Sequence, residues 1–147
     1  MTIRVEIASQ DRMVYEGDAD MVLIPGVSGV MGILPNHAPL LSTLNIGIVE
    51  VRLEGREQYF TITGGVVDIQ PDIVTVLADA AENVQEIDIA RAEAARKRAE
   101  EILKLGPPPD MDSYLVLEAA LKRSTLRLDA VRKYRGQRVT YLPMSEE

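Results

Sequence analysis

A β-sandwich followed by a two-helix antiparallel hairpin is the architecture this sequence predicts. Three observations carry the prediction. Up to residue 86, short apolar runs are punctuated by Gly, Pro and Asp turn signals, with no helical period between them. From Asp88 to Leu105 the chain turns alanine-rich and charged and contains neither Gly nor Pro. The charge balance changes at the same place. Residues 1–86 hold 4 Lys+Arg against 13 Asp+Glu and residues 87–147 hold 12 against 10, so the total of −7 conceals −9 followed by +2. Two modules with different surfaces are expected, a sandwich over 1–86 and a helical hairpin with a short tail over 87–147.

The sandwich reads strand by strand. Ile3, Val5 and Ile7 alternate with Thr2, Arg4 and Glu6, the pattern of a half-buried strand. Met21-Val22-Leu23-Ile24 is a short apolar run ended by Pro25-Gly26. Alternation resumes over Ile46 to Leu53 (Ile48, Val49, Val51, Leu53), and Glu54-Gly55-Arg56 is a hairpin turn into Tyr59-Phe60-Thr61-Ile62-Thr63. Gly64-Gly65 is expected to break that strand, which Val66-Val67-Asp68-Ile69 resumes before Pro71-Asp72 turns into Ile73-Val74-Thr75-Val76-Leu77. About ten short antiparallel strands result. Between them, Gly32-Ile33-Leu34-Pro35-Asn36-His37-Ala38-Pro39 holds the sole histidine on a loop stiffened by two prolines.

The helical module is equally explicit. The first helix, Asp88 to Leu105, carries a small face of Ala92, Ala95, Ala99 and Ile102, and Gly106-Pro107-Pro108-Pro109 stops it. A second helix begins near Asp112 or Ser113 and presents Leu117, Leu121, Ser124, Leu128 and Val131 at three- and four-residue steps. It runs to Tyr134 or Arg135, with Gly136 as terminator. Alanine buries little area, and at roughly 25 cal/mol per Å² a small-residue seam holds two helices weakly. The pairing is therefore expected to be marginal.

Composition removes several function classes. Aromatics are 4% of the chain, with no tryptophan, too few for a base-stacking surface. Absence of cysteine excludes disulfides, thiolate metal sites and cysteine nucleophiles. No run is long and apolar enough to span a bilayer, and no signal-peptide h-region follows Met1, so a soluble chain is expected. A hydrolase would have to use His37 as base with Ser42 or Thr43 as nucleophile, yet neither a Gly-x-Ser-x-Gly elbow nor a histidine-rich metal spacing is present. A nucleic-acid adaptor would use Arg123, Arg127, Arg132, Lys133, Arg135 and Arg138, against an acidic sandwich that repels phosphate.

Four stretches carry a family resemblance: Ile24-Pro25-Gly26 with Gly29, the Gly32–Pro39 loop, Gly64-Gly65-Val66-Val67-Asp68-Ile69, and Leu77-Ala78-Asp79-Ala80-Ala81-Glu82 followed by the helical pair. In order and spacing they resemble the ε subunit family of the F-type ATP synthase over nearly the whole chain. The resemblance implies a non-catalytic central-stalk subunit on the cytoplasmic face of an energy-transducing plasma membrane. Its sandwich would grip the γ subunit and sit on the c-ring. Its helices would brake ATP hydrolysis when extended into the α/β hexamer. No obligatory cofactor is implied. Val30, Met31 and His37 correspond to the ring-facing edge. Val30 stands where many relatives are acidic, and Val66 stands where relatives often have phenylalanine, a difference expected to repack the core.

Ile87-Asp88-Ile89-Ala90-Arg91-Ala92 resembles the ATP-binding motif of some bacterial members, in which Ile or Leu and Asp precede two residues and Arg-Ala. Asp88 also suits an N-cap, with Arg91 a surface residue of the first turn. Arg91 and Arg98 share a face of the first helix about 10 Å apart, and Arg123 and Arg127 are neighbours on the second. Guanidinium forks suit phosphate. The resemblance matches these four arginines to those of ATP-binding relatives and Glu82 to an acidic residue near the adenine. ATP is thus the expected regulatory ligand, favouring the folded hairpin. The alternative reading is a stand-alone ATP-binding module with no obligatory rotor partner.

Overall fold

A computed structural model describes residues 1–106 and 108–135. Pro107 of the triple proline, the expected stop at Gly136, Arg138 and the acidic tail Ser145-Glu146-Glu147 lie outside the described residues. The chain divides into two compact units, Met1–Asn83 and a second beginning at Val84.

Eight strands build the first unit: β1 (Ile3–Ala8), β2 (Met13–Ala19), β3 (Met21–Gly26), β4 (Gly29–Ile33), β5 (Leu40–Leu53), β6 (Arg56–Ile69), β7 (Ile73–Ala78) and β8 (Ala81–Asn83). They run in the order β2-β1-β7-β6-β5-β3-β4, with β8 paired to β6. Fewer strands than ten appear because β5 and β6 are each continuous over 14 residues. Gly64-Gly65 bends β6 and does not break it: both residues take positive φ, 111° and 129°. A Cβ on Gly65 would lie 2.1 Å from the Leu77 carbonyl oxygen, so only glycine lets β6 turn this close to β7. β5 likewise starts at Leu40, six residues before its alternating pattern becomes legible. One pairing departs from the antiparallel expectation, since β1 runs parallel to β7 from Arg4↔Ile73 to Ala8↔Leu77.

The core follows from the two-residue period. Ile3, Val5 and Ile7 of β1 point inward with Val22 and Ile24, Val49 and Val51, Phe60 and Ile62, Val67 and Ile69, and Val74 and Val76. Fully burying each such side chain contributes about 1.5–3 kcal/mol. The sole phenylalanine, Phe60, is buried with its ring centroid 5.3 Å from that of Tyr15. Burial, then the nearby Asp18 carboxylate, push the Tyr15 hydroxyl above its usual pKa. Glu54 and Gly55 make the two-residue β5–β6 turn with φ of 53° and 76°, and the Asp20 carboxylate accepts from the Glu54 amide at 2.7 Å.

The second unit opens with a 3₁₀ turn (Val84–Glu86) and continues as α1 (Ile89–Lys104), α2 (Met111–Ala130) and a π-helical turn (Val131–Arg135). Asp88 caps α1 by accepting from the Arg91 amide at 3.0 Å, and Asp110 caps α2 by accepting from the Ser113 amide at 2.6 Å. α2 therefore starts a residue or two before the expected Asp112 or Ser113, because Asp110 supplies the cap. Gly106 follows α1 with φ of 105°. The helices pair through small residues. Ala92 and Ala99 of α1 and Ser124 of α2 are buried, the last donating from Oγ to the Ala120 carbonyl at 2.9 Å. Ile102, expected on this seam, is 40% exposed, and Leu103 beside it is the half-buried residue of that turn. The end of α2 meets the start of the unit through Arg135, so the pair is antiparallel.

Candidate functional site

The motif residues occupy the entry to α1. Ile87 is buried, Asp88 is the exposed N-cap, and Ala92 is buried on the seam. Arg91 and Arg98 each precede a buried alanine, and on α2 Arg123 precedes buried Ser124. At 100° per residue, each of these guanidinium groups leaves its helix beside the seam. In an antiparallel pair, equal rotations away from the seam on both helices reach the same edge of the hairpin. Arg127, half-buried, lies one turn beyond Arg123 on that edge. Counting back along α2 from Arg135, beside Val84 and Ile87, brings Arg127 level with the Arg91 region and Arg123 level with Arg98.

Among the described residues, the guanidinium groups of Arg91, Arg98 and Arg123 have no hydrogen bond or ion pair, whereas Arg96 pairs with Glu100 and Lys122 with Glu118. Chemically, the edge offers several cationic forks with their donors unspent. Glu82 belongs to the first unit, half-buried on β8, where its carbonyl accepts from Thr61 Oγ1 at 3.4 Å. Among the described residues no cluster of three or more His, Asp or Glu side chains could hold a metal.

The ring-facing candidates separate. Val30, on β4, is 74% exposed, while Met31 beside it is partly buried against the core. Opposite faces of a strand alternate, so only one of two successive residues can point outward. His37 is half-buried, and its Nδ1–H donates to the Ala38 carbonyl at 2.6 Å. That bond leaves Nε2 of the neutral ring as an acceptor. Asn36, at φ 66°, holds the loop through its amide, which donates to the Pro71 carbonyl at 2.9 Å.

A further surface was not anticipated from sequence. Met13, Ala8, Leu77, Val66 and Thr43 sit side by side on β2, β1, β7, β6 and β5, each in register with the next. Met13 is 50%, Leu77 52% and Val66 38% exposed, and Leu41 extends the row on β5. Val66 therefore points outward, and the core repacking expected at this position does not arise. The signal was present in the sequence, because Val66 and Leu77 fall out of phase with the inward Val67 and Val76. Only the pairing registers show that they line up.

Comparison with known proteins gives this geometry a context. Residues 2–84 match the family model described as ATP synthase, Delta/Epsilon chain, beta-sandwich domain, and residues 85–132 match its long alpha-helix domain. The ATP synthase epsilon chain of Acidithiobacillus ferridurans is 42% identical over 137 residues, 93% of this chain and 96% of the relative. That of Pelotomaculum thermopropionicum is 50% identical over 102 residues, 69% of this chain and 76% of the relative. A chain in the cryo-EM structure of the Euglena gracilis mitochondrial ATP synthase (OSCP/F1/c-ring, rotational state 1) superposes with a TM-score of 0.73 at 25% identity, covering 89% of this chain and 81% of that one. With both of its units matched in sequence order and relatives aligned along almost its full length, this chain belongs to the ATP synthase delta/epsilon family as an epsilon chain of the bacterial type.

Proposed function

We propose that this non-catalytic epsilon chain couples rotor and catalyst in an F-type ATP synthase and regulates it through its helices. The sandwich grips the γ subunit through the row Met13–Ala8–Leu77–Val66–Thr43, in which Met13, Leu77 and Val66 are exposed and apolar. A strip that is apolar on four strands and continues past Thr43 to Leu41 on the fifth favours a protein partner over solvent. The ring-facing edge is Val30 with Met31 behind it and the Nε2 of His37, set against the c-ring on the cytoplasmic face of the membrane. No described helix is long and apolar enough to cross a bilayer, in keeping with a peripheral position.

The regulatory reading rests above all on the paired helices with unspent guanidinium groups along one edge of their seam. ATP is the ligand, held by Arg91, Arg98, Arg123 and Arg127 at its phosphates, with Ile87, Asp88 and Ala92 shaping the entry. A polyphosphate touching both helices binds only their paired form, so it stabilises the folded hairpin and is lost when the helices separate. The separated helices extend into the α/β hexamer and oppose hydrolysis. Low ATP then releases the brake arm. Asp88 is an N-cap whether or not ATP binds, so the arginines discriminate. Calorimetry is expected to give one ATP per chain, weakened at least tenfold in Arg98→Ala and Arg123→Ala with helicity unchanged. Undiminished binding in both variants excludes this site. Stoichiometric co-purification with γ separates the rotor subunit from a stand-alone ATP-binding module.

A further inference from the structure

One side chain ties the far end of α2 to the opening of its unit. Arg135 donates from Nη2 to the carbonyl oxygens of Val84 at 2.8 Å and Ile87 at 2.7 Å. Val84 and Ile87 are buried, and the Val84 carbonyl also accepts from the Ile87 amide at 3.4 Å. The acceptors are not helix-terminal carbonyls in need of a cap. They belong to the connector through which the chain leaves β8 and enters α1.

The position is unusual for a charge. The α2 stripe Leu117, Leu121, Ser124, Leu128, Val131 advances by threes and fours, and Arg135 is its next step. An apolar residue there would extend the seam by one more turn. A guanidinium instead reaches across it, and the two hydrogens of its Nη2 go one to each carbonyl. The cation also complements the negative end of the α2 dipole. Opposing this, the Nε of Arg135 is buried and without a partner among the described residues. Two charge-assisted bonds favour closure, and one orphaned donor favours release into water. Terms of similar size and opposite sign make a fastening that can open.

We propose that Arg135 is a clasp that closes the open end of the hairpin and, by the same two bonds, orders the connector Val84–Ile87. Separation of the helices then frees the connector in the same event, so the arm gains a flexible joint only when it is released. This use of the joint rests on the reading of the hairpin as a movable arm, whereas the coupling itself is a property of the isolated chain.

Amide hydrogen exchange on the full-length chain without nucleotide tests the coupling. Arg135→Ala is expected to speed exchange about tenfold over residues 87–92, where the Ile87, Arg91 and Ala92 amides are bonded, and over 127–131 at the end of α2. Exchange at the turn end, residues 99–104, and in β6 stays as in the wild type. Arg135→Lys, which keeps the charge on a shorter side chain with a single nitrogen donor, gives a smaller acceleration at the same two segments. It serves as the reading should the alanine variant lose β6 protection. Arg132→Ala, which removes an exposed cation paired with Asp129, leaves the pattern unchanged. Unaltered exchange at 87–92 in both Arg135 variants overturns the clasp, as does equal acceleration at the two ends of the hairpin. Neither result depends on ATP binding, so failure of the nucleotide site and failure of the clasp are separately visible.

Discussion

Asp88 and Asp110 begin their helices by the same local chemistry, a carboxylate accepting from an amide three residues on. At Asp110 the Ser113 amide holds the carboxyl below its ordinary pKa of 3.8. The folded-state value is the depressed one, so the stabilisation is complete above the unfolded value and disappears as pH falls through the folded value. Far-UV circular dichroism is accordingly expected to show loss of helix below pH 3.8 that is absent from Asp110→Asn, whose amide oxygen caps without titrating. Superimposable acid titrations of the two proteins would remove this role. Single residues were legible in the sequence where chemistry and neighbours suffice, as at the Asp88 cap and the Glu54-Gly55 turn. They were not legible where a distant strand decides. Val66 reads as core by composition, and Gly65 reads as a strand breaker until the Leu77 carbonyl is seen 2.1 Å from where its Cβ would stand.

At the scale of elements, the alanine seam sets how tightly the two helices pair. Ala92 and Ala99 are nearly fully buried, and a longer side chain at a close-packed position has to displace its neighbours. Ala99→Leu is therefore expected to destabilise the pairing by about 1–3 kcal/mol. Spin labels on exposed positions 97 and 122 should show a longer or broader distance distribution, with the thermal stability of the sandwich unaffected. A distribution identical to the wild type would mean that the seam tolerates the added volume. The helices were the most legible elements, because a 3.6-residue period over a long stretch, the Asp88 cap and a Gly-Pro stop agree with each other. Strand ends were less so. β5 extends back to Leu40 because β6 offers it a continuous edge as far as Ile69, which local alternation does not reveal.

For the whole molecule, the acidic sandwich and the cationic hairpin have distinct surfaces, and the sandwich adds an apolar row that folding gathers from five strands. Leu77→Glu places a charge at the centre of that row on a side chain 52% exposed, where substitutions usually change stability by less than about 0.5 kcal/mol. The variant should melt with the wild type and fail to co-purify with γ. Full recovery of γ with the variant would mean that the subunit is gripped elsewhere.

By itself, the sequence determined that a strand-rich acidic unit precedes a helical pair, and that the first helix begins at the Asp88 cap. Those properties follow from backbone periods and short-range bonds, which act over a few residues. Tertiary structure alone decided that β1 and β7 run parallel, that Val66 and Leu77 stand in one exposed row, and that Arg135 closes on Val84 and Ile87. Each of these joins residues far apart in the chain, and only the registers and packing of the folded molecule specify such meetings.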